Sequence, residues 1–221
     1  MTRMYREAKK TINWFVGCNY GCVYCVPSFQ KQAKRRKKAC LDCYYYKPHN
    51  HPERLYKPIP RTKEGEFIFL NDMGDVSFCD PDYMRIQLKR IEDLSNRTFL
   101  IQSKNPEYFH QFNFPNNVVL GITLETNRDE GYEKISKAPL PSKRFEDFLA
   151  IEHSRKIVTV EPILEFDLET LASWIFQLNP CRVYIGFDSH PKKNKLPEPS
   201  QEKADKLYGI LKTHGIDVRW K

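Results

Sequence analysis

Nothing in this chain approaches the ~20 consecutive apolar residues that a membrane-crossing helix needs. Its first residues, MTRMYREAKK, lack the apolar centre of a secretion signal. No internal repeat and no linker-like stretch divides the 221 residues, so a single core is expected. Together these absences predict a cytoplasmic protein with no membrane partner. In that reducing compartment seven cysteines point to metal or redox chemistry rather than to disulfides.

The hydrophobic share of 40% is that of a globular domain, which excludes a disordered tail. The formal charge is +8, and much of the excess is local. KQAKRRKK at 31–38 carries six basic residues, and HPKKNK at 190–195 adds three more. Such runs suit a polyanion, because each neutralised phosphate releases counterions. A solvated, solubilising face accounts for them equally well.

Short apolar segments rich in β-branched and aromatic residues read as strands: EFIFLN (66–71), TFLIQS (98–103), NVVLGITLE (117–125), KIVTVEPIL (156–164), RVYIGFD (182–188) and a final IDVRW. KTINWFVG (10–17) reads as a strand before them. Helical patterns alternate with these. PDYMRIQLKRIEDLSN opens with Pro81 and aligns Met84, Leu88 and Ile91. SKRFEDFLAIEHS offers Ser142 as cap, with Phe145, Phe148 and Leu149 at helical spacing, and DLETLASWIFQLN offers Asp167. PEYFHQF is shorter, and SQEKADKLYGILKTHG stops at Gly215. Strands alternating with helices imply an α/β fold with right-handed crossovers. Six or seven units make a partial (β/α)6-type TIM barrel, with chemistry at the carboxyl ends of its strands. Residues 28–62, basic and then Cys- and His-rich, read as an insertion after the first strand.

GCNYGCVYC (17–25) places Cys18, Cys22 and Cys25 just after that first strand. A structural zinc takes four protein ligands, whereas a four-iron cubane held by three cysteines keeps one iron open for a small molecule. Gly17 and Gly21 let the backbone fold around such a core. CNYGCVYC resembles the CxxxCxΦC motif of the radical S-adenosylmethionine (SAM) superfamily, with Tyr24 as the aromatic residue. NHPERL (50–55), LNDMGD (70–75), LIQSKNPE (100–107), GITLET (121–126) and VEPIL (160–164) extend the likeness over nearly the whole chain. It is to the phage-associated three-Cys-motif radical SAM family and, more distantly, to the spore photoproduct lyase group.

The resemblance implies a 4Fe-4S cluster on Cys18, Cys22 and Cys25 whose open iron chelates SAM. One electron, from a donor such as flavodoxin or ferredoxin, would cleave SAM to a 5′-deoxyadenosyl radical. Asp72, Met73, Gly74 and Asp75 match the turn that receives the SAM amino group, although they depart from its usual GGE form. Ser103, Lys104, Glu125, Asn127 and Glu161 are further cofactor-binding candidates at strand ends. For any of these acids a salt bridge to an arginine is the plainer expectation. Asp188 and His190 are weaker candidates.

CLDCYYYKPHNH (40–51) holds Cys40, Cys43, His49 and His51, a donor set suited to zinc, although HxH is closer than in a zinc finger. His51 could instead pack near the barrel with Cys79 replacing it. Cys79 is also a weak candidate hydrogen-atom donor, and a small buried hydrophobe on the plainer view. Cys181 reads as structural. The expected function is SAM cleavage acting on a large substrate: nucleic acid first, a protein or peptide second, with or without a partner protein. The alternatives are a non-enzymatic zinc-dependent nucleic-acid-binding module and a dithiol oxidoreductase using Cys40 and Cys43, the latter opposed by the lack of a visible helix at that CxxC.

Overall fold

The structure, a computed structural model, describes residues 4–221. Seven parallel strands form one sheet in which spatial order follows chain order: β1 (Ala8–Ile12), β2 (Phe67–Leu70), β3 (Phe99–Ser103), β4 (Val118–Thr123), β5 (Lys156–Val160), β6 (Arg182–Ile185) and β7 (Val218–Trp220). Their near-continuous apolar runs are what a parallel sheet covered on both faces requires. Side-chain alternation divides them between two clusters. Phe67, Phe69, Leu100, Val119 and Ile157 pack around Tyr5 in one. Ile68, Leu70, Phe99, Ile101, Leu120 and Val158 join the helices in the other.

The sheet curls into a half-barrel. Tyr184 on β6 donates to Glu7, just before β1, at 2.9 Å, and Arg219 on β7 pairs with the same carboxylate. Tyr5 fills the interior between them, its ring centroid 4.6 Å from that of Tyr184. This is the partial barrel expected, with seven strands.

Four longer helices connect the strands: α1 (Pro81–Glu92), α2 (Pro141–Leu149), α3 (Leu168–Leu178) and α4 (Gln201–Thr213). Asp80 accepts the amides of Asp82 and Tyr83, Pro81 takes the first helical position, and Met84, Leu88 and Ile91 are buried as the stripe requires. Ser200 caps α4, which ends before Gly215 at φ +82°. PEYFHQF forms only a 3-10 turn, Pro106–Gln111.

Three local expectations need correction. The first barrel strand is Ala8–Ile12; Phe15–Val16 instead form a two-residue antiparallel ribbon with His49–Asn50, because Asn71 Oδ1 captures the Trp14 and Phe15 amides at 3.0 and 2.9 Å. Ser142 does not cap α2. It lies inside the helix, and its amide and hydroxyl are donated to Asp129. Asp167 occupies the N-cap position of α3 without capping it, its carboxylate being taken by Arg128.

Residues 26–54 form short helical turns, among them Leu41–Tyr45, together with the ribbon strand His49–Asn50, beside the cysteine loop. Among the described residues no helix is long and apolar enough to cross a membrane.

Candidate active site

The cysteine loop is held by backbone against backbone. Gly17 donates its amide to the Met73 carbonyl at 2.9 Å and accepts from the Asp75 amide at 3.3 Å, a parallel bridge to Gly74. Both positions exclude a side chain. A Cβ on Gly17, at φ +103°, would lie 2.1 Å from the Lys47 carbonyl oxygen, and one on Gly74 would lie 2.6 Å from that of Gly17. The glycines are there because two chain segments touch. Cys18, Cys22 and Cys25 follow, all free thiols, Cys22 buried and the others half-buried, packed with Tyr20, Tyr132 and Leu164.

Each of the three sulfurs faces a protein donor. The Tyr20 amide donates to Cys18 Sγ at 3.5 Å, Ser136 Oγ lies 3.1 Å from Cys22 Sγ, and the Tyr46 phenol interacts with Cys25. Burial pushes the Cys18 and Cys25 thiols up, Cys25 to about 11, reinforced by the neighbouring sulfurs. Such thiols stay protonated until a metal displaces the proton.

The NDMGD turn is built from within. Asn13 donates to Asp72 Oδ1 at 2.6 Å and accepts the Met73 amide at 2.9 Å. Asp75 ties β2 to β3: Oδ1 accepts from Ser103 Oγ at 2.6 Å and from Ser77, and Oδ2 accepts the Lys104 amide at 2.8 Å. Asp75 and Ser103 are thus spent on each other. Asp72 is held by Asn13 and its own amide with Arg36 nearby, and burial raises its pKa.

Glu125, fully buried at the end of β4, is the charge centre of the site. Arg144 from α2 donates to Oε2 at 2.7 Å, Lys104 pairs with Oε1, and Tyr132 and Tyr24 donate to Oε1, Tyr132 at 3.0 Å. Burial alone would push this carboxyl up; Lys104 and Arg144 outweigh it and hold it well below the usual carboxylate range. The Arg144 guanidinium lies over the Tyr132 ring at 4.7 Å, and its Nε and Nη2 have no polar partner among the described residues.

Other candidates are dispersed. Asn127 stands on the rim, bonded to Asp167. Glu161 pairs with Lys221, whose pKa burial lowers. Asp188 binds the side chain of Asn194 and the amide of His190. Cys79 is buried, with Gln87 Nε2 donating to it at 3.4 Å. Cys181 is exposed just before β6, at the end of the strand away from the cysteine loop.

Sequence reasoning missed Asn13, Asn71, Ser136 and Arg144, and the contact of Tyr46 with Cys25. Only Arg144 left a local signal: it lies one turn from Phe148, a charge on the apolar stripe of α2.

Cys40, Cys43, His49 and His51 converge, with their ligand atoms all within 4.8 Å of one another. Cys79 is not among them. A helix does begin at this CxxC, correcting the expectation: Cys40 is the N-cap of Leu41–Tyr45. The two thiols nevertheless face imidazoles, which a dithiol redox pair does not require.

A scan against family models finds no match, and neither does a search of curated proteins. Solved structures do match. One is a radical SAM methyltransferase from Sphaerobacter thermophilus, with TM-score 0.62 and 15% identity over 99% of this chain and 67% of that one. The fold is of the radical SAM type. Cys18, Cys22 and Cys25 lie on the loop that follows the first strands of this half-barrel. The donor chemistry fits a 4Fe-4S cluster: three free thiols on one loop, each with a hydrogen-bond partner, and no disulfide among them. Asp72 and the mouth around Glu125 lie at the carboxyl ends of the strands.

Proposed function

We propose that this chain is a radical SAM enzyme of the three-Cys-motif kind, acting on nucleic acid. The observation that carries the reading is the set of three unbridged thiols, pinned through Gly17 to the Gly74 turn at the mouth of a half-barrel. When bound, the cluster and SAM would supply one-electron cleavage of a carbon–sulfur bond and hydrogen-atom abstraction. Cys18, Cys22 and Cys25 would hold the cluster, with an external flavodoxin or ferredoxin supplying the electron.

The chain's own groups prepare the mouth. Hydrogen bonds from Tyr20, Ser136 and Tyr46 stabilise thiolate charge. Lys104 and Arg144 keep Glu125 ionised, and Glu125 fixes the Tyr24 phenol. Asp72, positioned by Asn13 and not committed to Ser103 and Lys104 as Asp75 is, would accept from a cationic amine.

The substrate class rests on a surface. Lys34 Nζ lies 4.5 Å from the Tyr44 ring centroid and 5.7 Å from that of Tyr45, and Lys47 Nζ lies 5.7 Å from Tyr45 on another approach. Cations interleaved with an exposed ring suit phosphates and unstacked bases together. β1 and β7 are edge strands with no backbone pairing between them, bridged by Glu7 with Arg219, and an incomplete barrel suits a substrate larger than a metabolite.

The test is anaerobic reconstitution with iron, sulfide, SAM and dithionite, followed by assay for 5′-deoxyadenosine with single- and double-stranded nucleic acids or proteins added in turn. Nucleoside formation stimulated by nucleic acid is expected. A protein without iron, or stimulation by polypeptide alone, overturns the corresponding half of the reading.

A further inference from the structure

We propose that Cys40, Cys43, His49 and His51 bind one tetrahedral zinc ion, and that this ion holds the cysteine loop in place. The second half rests on the cluster reading above; the first does not.

The donor geometry is that of a closed site. His49 Nε2 lies 3.3 Å from Cys40 Sγ and 3.4 Å from Cys43 Sγ, and His51 Nε2 lies 3.1 Å from Cys43 Sγ. A zinc tetrahedron with ordinary Zn–S and Zn–N bonds has ligand–ligand edges of roughly 3.4–3.8 Å. Four atoms this close enclose one ion and leave no space for a cluster. An S2N2 tetrahedron selects zinc among common ions.

Both imidazoles are oriented from behind. His51 Nδ1 lies 2.8 Å from Glu53 Oε1, and His49 Nδ1 lies 2.7 Å from the Lys47 carbonyl oxygen. Each partner accepts a hydrogen bond from Nδ1–H and so turns the Nε2 lone pair towards the thiols. That is the outer-shell arrangement of metal-bound histidine. The Cys43 amide also points at Cys40 Sγ, at 3.4 Å. Without an ion, two thiols and two imidazoles gathered half-buried would have little reason to converge.

The ligand segment is also the wall of the cysteine loop. Val16 pairs with His49 and Phe15 with Asn50, and the His51 amide donates to the Trp14 carbonyl at 2.6 Å. Tyr46, left-handed at φ 58° after the helix carrying Cys43, accepts the Cys18 amide at 3.4 Å while its phenol meets Cys25. The Lys47 carbonyl that orients His49 is the one packed against Gly17. Two of the three cluster cysteines therefore take partners from a residue lying between the zinc ligands. A ribbon of two residues per strand is too short to order itself, so the ion supplies the constraint.

The test measures metals rather than turnover. Protein purified anaerobically should contain one zinc per chain whether or not iron is present, and metal-free protein should bind cobalt(II) with the visible bands of a tetrahedral thiolate site. His49→Ala should lose the zinc and the cobalt bands, and its iron–sulfide uptake should fall about tenfold, the lower range for loss of an orienting partner. His49→Cys, which rebuilds a four-donor site, should recover both. Cys22→Ala should lose iron and keep zinc. Zinc-free protein with no cobalt bands overturns the site. A folded His49→Ala protein, judged by circular dichroism, that loses zinc yet assembles its iron normally overturns the coupling. If the parent protein takes up no iron while zinc remains, the cluster reading fails and the zinc site stands.

Discussion

Tyr24, inside the three-cysteine loop, donates its phenol to Glu125 at the end of β4. That bond joins a loop following the first strand to the fourth strand of the sheet. The carboxylate it meets also holds Lys104 from the end of β3 and Arg144 from α2. The geometry of the loop is thus tied to the charge balance of the barrel mouth.

Glu125→Ala should cost about 3–5 kcal/mol in denaturant unfolding, since it strands a fully buried guanidinium. Tyr24→Phe, which leaves the ion pairs intact, should cost about 1 kcal/mol.

The pH dependence follows from the same group. Glu125 is held below its unfolded pKa of about 4.3, so its stabilisation is complete above that pH and is lost as pH falls towards the folded value. Acid unfolding of the parent protein should steepen below about pH 4.3, and Glu125→Gln should flatten that limb while lowering stability at neutral pH. Parallel acid limbs in the two proteins would refute the assignment.

Two glycines in one loop should respond to very different degrees. Gly17→Ala places a Cβ on the Lys47 carbonyl and should prevent the loop from docking, seen as lost iron binding and a lowered Tm. Gly21, at φ +61°, has nothing within 4 Å of a Cβ, so Gly21→Ala should cost only the left-handed penalty of roughly 1–2 kcal/mol.

Asn71→Ala should cost about 2–4 kcal/mol, because two buried amides, those of Trp14 and Phe15, lose their acceptor. Asn71→Asp retains the acceptor and should recover part of the loss, short of the bond donated to Gln87. Both are read by urea unfolding.

Charge removal tests the surface. Replacing Lys34 and Lys37 by Ala should lower the salt slope of single-stranded nucleic acid binding by about 0.7 for each phosphate no longer neutralised. An unchanged slope would place the nucleic acid elsewhere.

Several features were legible because their signals are local. The apolar strands mark a parallel sheet wherever they pair, and the two donor sets lie within residues 18–25 and 40–51. A short loop brings such neighbours together almost regardless of the fold around it. The first strand was misplaced for a related reason. Trp14, Phe15 and Val16 have strand chemistry, but whether they join β2 or His49–Asn50 depends on where Asn71 directs its carbonyl.

What composition and spacing determined by themselves is therefore short-range: a β/α series, three thiols on one loop, and four Cys and His donors on one short segment. What only the tertiary structure decided is which distant groups meet them. Glu125 gains Lys104, Arg144 and Tyr24, Asp75 is consumed by Ser103, and Tyr46 bridges one cysteine set to the other. The reason is physical. A local motif is specified by the few bonds between its members, whereas a long-range pairing exists only after sheet order, curl and crossover have placed its partners.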